Sequence, residues 1–188
     1  KHPEAFLPYL AMSLNNLGTM LSELGDRQGA KEKAEEAVAI RRELAKKHPE
    51  AFLPDLAMSL NNLGTMLSEL GDRQGAVKCL ESLLGVGAAY AAVSGNQALL
   101  VQAHRRLAGF LNEMDRKEDA LVQLKKAKGV LERIAARHPG ALQDLIAVNE
   151  ERLGVSKALN QPDCERLEQE IAEQKDRLAQ MQTQARHG

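Results

Sequence analysis

Tryptophan is absent from this 188-residue chain, and aromatic residues make up only 3% of it. A core must therefore be assembled from Leu, Ala, Val and Met, and 44% hydrophobic residues are enough to supply one. An excess of either charge is also lacking: 25 Lys and Arg stand against 26 Asp and Glu, interspersed, for a net charge of −1. That argues against a nucleic-acid surface, which calls for a basic excess. Cysteine is scarce. Cys79 and Cys164 lie far apart, in no CxxC or zinc spacing. Two reduced thiols in a cytoplasmic protein are the expectation, ahead of a secreted chain with one disulfide. No signal-peptide pattern is present. The longest strictly apolar run, residues 83–93, is too short to span a bilayer, so no membrane partner is expected.

Catalytic patterns are lacking too. The chain holds no HExxH, no GxSxG and no glycine-rich phosphate loop. Adjacent acids such as Glu35-Glu36 and Glu150-Glu151 diverge around a helix, as on a solvated face. Of the histidines, His2, His48 and His138 precede proline in linker positions, His187 lies near the C-terminus, and His104 falls inside a helical pattern as a packing or surface residue. No nucleophile has a plausible base. An enzyme is not expected, nor a metal or a cofactor.

What the chain does have is repetition. HPEAFLPYLAMSLNNLGTMLSELGDRQGA, residues 2–30, returns at residues 48–76, changed only from Tyr9 to Asp55. A fixed spacing of 46 residues between near-identical copies marks a repeat array. Such copies suit recent duplication or design equally. Lys1 stands partway through a repeat with no initiator Met, so a piece of a longer array is expected.

Each copy reads as a helix pair. Helix A of the first runs from Pro8 to Leu24. Its Leu10, Leu14, Leu17, Leu21 and Leu24 are spaced four, three, four and three, one helical stripe. Gly25 ends it, and Asp26 caps helix B, residues 27–46. Helix B presents small residues, Ala30, Ala34 and Ala37, and a Leu stripe facing an Ala stripe allows close approach, with Gly18 removing one more side chain. Pro49 keeps His48 out of a helix. The second helix A runs from Pro54 to Leu70. In the second helix B, Gly85 and Gly87 are expected to weaken or end the helix. No charge occurs from Ser82 to Ala103. That segment reads as a helix buried on several sides, or as an apolar docking patch around Val86, Tyr90 and Val93.

The third repeat is more diverged. Ser94 or Asn96 caps a helix A carrying Leu100, Ala103, Leu107, Phe110 and Leu111. Helix B carries Ala120, Leu124, Ala127, Leu131 and Ile134. The fourth unit keeps Leu145, Val148, Leu153 and Gly154. After a turn at residues 160–163 comes a last helix with Leu167, Ile171, Leu178 and Met181 on one face and polar residues elsewhere, which suits a cap. Gln174 interrupts that seam, against a coiled coil. The repeats span about 1–46, 47–92, 93–138 and 139–161, with a capping helix at 162–187, as one array.

The pattern resembles the tetratricopeptide repeat family. Its Leu-Gly pair, large residue and small Ala appear as Leu17-Gly18, Leu21 and Ala30, then Leu63-Gly64, Leu67 and Ala76, and again as Leu107-Ala108, Leu111 and Ala120. The fourth unit has Leu153-Gly154, but Lys157 and Arg166 where Leu and Ala are expected. The long period and the Leu-Asn-Asn-Leu-Gly run resemble the subclass found in kinesin light chains and bacterial signalling proteins. The resemblance implies an all-α, right-handed α-solenoid whose A helices line a peptide-binding groove, the residue before the signature Leu pointing into it. Those residues are Asn16, Asn62, Arg106 and Arg152.

A helical wheel with Leu17 at zero puts Met12, Asn15, Asn16, Thr19 and Ser22 on the opposite side. Asn61 and Thr65 are their counterparts in the second copy. Relatives that clamp a peptide carboxylate have a Lys four residues before the groove residue. This chain has Met12, Met58, Gln102 and Val148 there. A row of amides bonding a peptide backbone, with Arg106 and Arg152 at an acid-reading end, is the alternative; so is a merely solvated polar face. Glu113, seven residues from Arg106, is expected to compete for it.

Three functional readings stay open. One is an interaction scaffold binding a peptide or a partner domain. Another is a regulatory segment of a larger multidomain protein. The third is a passive spacer, natural or engineered, that homo-oligomerises through its ends.

Overall fold

The computed structural model describes residues 3–187, and their side chains over residues 5–185. His2 and the side chain of His187 fall outside the described residues. Within them the chain is all-α: eight α-helices, two short 3-10 turns and no strand. It divides into two compact units, Lys1–Ala103 and His104–Gly188.

The first unit holds α1 (Leu7–Glu23), α2 (Arg27–Lys47), α3 (Pro49–Glu69), α4 (Arg73–Ser94) and the first turns of α5 (Ala98–Glu113). Helices α1 to α4 pack each on the next. The turns follow from local chemistry. Gly25 adopts φ +87° and Gly71 φ +82°. Asp26 N–H reaches back to Leu21 O (2.9 Å) and Gly25 N–H to Ser22 O (3.0 Å), a Schellman closure that satisfies the last carbonyls of α1. Asp26 Oδ1 then accepts from Gly29 N–H (2.9 Å), and Asp72 does the same for Gly75, capping α2 and α4.

Ala30, Ala34 and Ala37 of α2 are fully buried. A Cβ on Gly18 would stand 3.1 Å from Ala30 O, so the two helices are nearly in backbone contact there. The buried face of α1 is the small one (Ala11, Asn15 and Gly18), with Gly18 against α2. The expected Leu stripe is not buried in α1: Leu10, Leu17 and Leu24 are exposed. In α3 the same stripe is buried at Leu56, Leu60, Leu63 and Leu67. Burial there comes from α3 lying against both α2 and α4.

Two other expectations are corrected. Helix α3 begins at Pro49, five residues ahead of Pro54, which sits inside the helix. Proline this early deletes only one backbone bond. Helix α4 runs unbroken through Gly85 and Gly87 and ends at Gly95, φ +71°. Gly87 marks a close approach: a Cβ there would lie 2.9 Å from Leu100 Cα. Only one face of α4 is buried, through Ala76, Leu80, Leu83 and Gly87. The reading of a helix buried on several sides does not hold. Val93 is exposed, and Val86 and Tyr90 are half-buried. Helix α4 is itself long and apolar enough, by length and composition alone, to cross a bilayer, with 22% of its most apolar 18-residue window buried.

The second unit continues α5 and adds α6 (Lys117–Ala135), α7 (Leu142–Ala158) and α8 (Cys164–His187). Its turns repeat the closure of the first unit without glycine. Asp115 (φ 59°) and Asn160 (φ 51°) take the left-handed position. Arg116 N–H bonds Leu111 O (2.8 Å), and Gln161 N–H bonds Ser156 O (2.9 Å). Asn is the residue, after Gly, that tolerates this backbone best, with Asp close behind. Ahead of α5, in the first unit, Asn96 Oδ1 accepts from Ala98 N–H (2.9 Å), as the capping expectation required. Leu167 and Ile171 seat α8, while Leu178 and Met181 are half-buried.

The two glycines of α4 separate cleanly by experiment. Gly87→Ala drives a methyl into backbone and is expected to cost about 1–3 kcal/mol. Gly85→Ala has nothing within 4 Å of its new Cβ and is expected to gain up to about 1 kcal/mol from helix propensity. Urea unfolding of the two variants checks both signs.

Candidate functional site

In the first unit the A helices α1 and α3 are tied by polar side chains. Asn15 is buried, and its Oδ1 accepts from Ser59 Oγ and from Asn62 Nδ2, both at 3.3 Å. Asn61 Nδ2 donates to Asn62 Oδ1 (3.5 Å). Farther along, Ser22 Oγ donates to Glu69 Oε2 (2.6 Å). Helix α2 joins through Arg41, which is 3% exposed; its guanidinium donates to Ser59 Oγ (2.7 Å) and to the Asp55 carbonyl (2.8 Å). Burial pulls the Arg41 guanidinium below its ordinary value, and the Asp55 carboxylate opposes that pull. An unpaired buried charge is costly, so these two acceptors fix where α3 sits on α2. Sequence reasoning missed Arg41. The only signal was an Arg on the otherwise small or apolar face of a helix B.

Asn15 is thus a structural residue, contrary to its placing on the open face. Asn62 is half-buried and shares in the ladder, though a second N–H of its amide remains to offer. Asn16 is exposed. Thr19 and Thr65 are exposed, and each donates to the carbonyl four residues back, Asn15 O and Asn61 O, at 3.2 Å. Met12 and Met58, one turn before Asn16 and Asn62, are 48% and 47% exposed. The open face of α1 and α3 therefore alternates thioethers with amides and hydroxyls, with half-buried Asp55 one turn before Met58 and Glu23 and Glu69 at the far end.

In the second unit the link between A helices is ionic. Arg105 Nε donates to both carboxylate oxygens of Glu151, at 3.1 and 3.3 Å, and its NH2 pairs with the same group. The hydrogen bond to Glu151 holds Arg105 above its ordinary value, against the opposing pull of burial. Arg106 is exposed and forms no ion pair with Glu113 or any other described residue.

Arg152 does not line a groove. It is 7% exposed and donates from NH1 to Asn149 Oδ1 (2.8 Å). The buried stripe of α7 is Leu145, Val148, Asn149, Arg152, Val155 and Ser156. It matches Leu56, Ser59, Leu60, Leu63, Met66 and Leu67 of α3. Arg152 therefore stands in the place of Leu63, and Glu151 in the place of Asn62. The pair Leu153-Gly154 is not the signature: Gly154 is exposed, with nothing within 4 Å of an added Cβ. Asn149 Nδ2 donates to Glu170 Oε1 (3.2 Å) and Gln174 Oε1 (3.1 Å), and Lys128 Nζ lies 2.7 Å from Glu170 Oε1. So Gln174, which breaks the apolar seam of α8, closes a polar cluster with α6 and α7. His104 is buried, its Nδ1 2.9 Å from Gln123 Oε1. Burial lowers its pKa, the Gln123 bond opposing. Both cysteines are free thiols, and no cluster among the described residues could hold a metal.

Two stretches, residues 10–50 and 56–86, match the family model of the tetratricopeptide repeat. The match covers less than half of the chain, and these two stretches are similar to tetratricopeptide repeats. No curated protein sequence matches the chain. Among solved structures it is similar to BtubC (BKLC) from P. vanneervenii, with a TM-score of 0.68 and 16% identity over 92% of this chain and 66% of that one. A Podosopora anserina kinesin light chain-like protein with nearly identical TPR-like repeats gives 0.60 and 20% identity, over 98% and 78%. RapI in its apo form gives 0.64 and 13%, over 95% and 60%. The chain thus spans just under two thirds of BtubC and less of RapI. At these identities the likeness is one of fold, the α-solenoid of stacked helix pairs.

The polar cluster of α6, α7 and α8 has a pH signature. Burial pushes the Glu170 carboxyl up, but the Lys128 hydrogen bond and charge, with Asn149 and Arg152, outweigh it and leave its pKa below the ordinary value. A carboxylate depressed in the folded state contributes stability above the unfolded value of about 4.3, and loses it as pH falls through the folded value. Wild type is expected to lose stability below about pH 4.3, and the stability gap to Glu170→Gln to narrow over the same range. Melting temperatures of both proteins from pH 7 to pH 3 measure it.

Proposed function

We propose that the chain binds an extended, largely uncharged peptide segment of a partner protein across the open face of α1 and α3. The observation that carries this is the pairing of exposed Met12 and Met58 with Asn16 and the second N–H of Asn62. Thioethers adapt to varied apolar side chains. An amide both donates and accepts, so it serves a peptide backbone in either sense. The ladder from Asn15 to Asn62 holds the two helices side by side, so the face is preorganised and little ordering entropy is lost on binding. A carboxylate clamp is disfavoured, because Met12 and Met58 occupy the places a lysine would need and Glu23 and Glu69 border the face. The acid-reading end is narrowed as well, since Glu151 and not Arg152 holds the fourth position.

Panning a random-peptide display library against the chain supplies ligands for the test. Substituting Met12→Glu together with Met58→Glu is expected to weaken the selected peptides by about tenfold or more, equivalent to roughly 1.4 kcal/mol. Affinity should change little with salt, as for an uncharged contact. Peptides whose binding survives the double substitution, or collapses in high salt, would place the binding surface elsewhere.

A further inference from the structure

We propose that the second unit holds a chloride-sized anion between α7 and α8, bound by Arg152 and Ser156. Asn149, Arg152 and Ser156 follow at intervals of three and four, so they share one face of α7. Asn149 bonds Glu170 and Gln174, which sets that face against α8. In α3 the matching places are Leu60, Leu63 and Leu67, all buried. The second unit has thus exchanged three core leucines for an amide, a guanidinium and a hydroxyl. Arg152 is 7% exposed and Ser156 0%. Arg152 Nε and Ser156 Oγ are both buried, and neither has a hydrogen-bond partner among the described residues. Buried donors left unpaired cost stability, and these two lie one turn apart on the same face.

The chemistry left over is that of a donor pair. Side chains one turn apart on a helix have Cβ atoms about 5–6 Å apart, so one small ligand reaches both. The acceptors of the cluster are already engaged. Asn149 Oδ1 accepts from Arg152 NH1 (2.8 Å), and Gln174 Oε1 accepts from Asn149 Nδ2. Glu170 accepts from Asn149 and Gln174 and pairs with Lys128. Charge is unbalanced in the same sense. Lys128 and Arg152 bring two cations, against the one carboxylate of Glu170. Glu132 also lies 3.5 Å from Lys128, but its side chain is 52% exposed, where solvent screens it. A water accepts from both donors and leaves the extra positive charge buried. An anion of unit charge satisfies both donors and neutralises the cluster. Size narrows the choice further. A serine fills less space than the leucine it stands for, which suits a halide. Phosphate and sulfate carry more charge and more oxygens than two donors satisfy.

Thermal unfolding of the whole chain tests this. Sodium gluconate, whose anion is too large for a buried site, is replaced stepwise by sodium chloride at constant ionic strength. Wild type is expected to gain melting temperature along a curve that saturates, by roughly 3–6 °C once chloride stands tenfold above its dissociation constant. Bromide should act as chloride does. Arg152→Leu restores the residue that α3 has in that place. It should keep its helical circular dichroism and lose the chloride response. Ser156→Ala keeps the guanidinium and removes one donor, so the chloride needed for half the effect should rise by about tenfold. That variant also guards against a folding defect in the first. Equal melting temperatures of wild type in gluconate and chloride overturn the proposal and leave the site to water. So does a chloride response that survives Arg152→Leu, or a response to phosphate that exceeds the one to chloride and disappears with Arg152.

Discussion

Close backbone contact between the two helices of a pair is the constraint from which the other features follow. Ala30, Ala34 and Ala37 in α2, Ala76 in α4 and Ala120 and Ala127 in α6 are all fully buried. Gly18 admits the Ala30 carbonyl to within 3.1 Å of where a Cβ would stand. With side chains this small, dispersion comes from backbone as much as from side chain. The large residues of an A helix are then free to serve the neighbouring pair. In α3 they do so, lying between α2 and α4. The same geometry brings α1 beside α3, so that Asn15 and Asn62 meet and Asn16 is left facing outward.

Buried polar groups then set register within that frame. Arg41 has a defined pair of acceptors on α3, and Arg152 has Asn149 within α7. Apolar stripes tolerate small slips, whereas a buried guanidinium without partners does not. The link between successive A helices is likewise polar in both units: amide to amide at Asn15 and Asn62, guanidinium to carboxylate at Arg105 and Glu151. These pairs occupy matching positions in the helices. The chemistry changes while the geometry of the contact is kept.

Much of this was legible in the residues. The repeat, the helix ends at Gly25 and Asp26, the break at His48-Pro49 and the cap at Asn96 all rest on local chemistry, and local chemistry decides them. The failures share one cause, which is that burial belongs to neighbours and not to sequence. Identical leucines are covered in α3 and open in α1. Gly87 reads as a helix breaker until Leu100 is seen against it. Leu153-Gly154 copies the signature pair by composition, but the buried stripe of α7 passes through Arg152, a residue that periodicity reads as polar. Asn16, Thr19, Thr65 and Arg106 are exposed. Asn15 and Arg152 went inside because a helix wheel shows direction and not the partner waiting there.

The central claim, that neighbours and not sequence decide burial in the two copies, has a direct test. Native-state hydrogen exchange compares amides with the same local sequence in α1 and α3, so intrinsic exchange rates are matched. Peptic fragments carrying Tyr9 or Asp55 distinguish the copies by mass. Measured at matched pH and temperature, slower exchange across α3 than across α1 is the predicted result. Equal protection of the two helices would contradict the account.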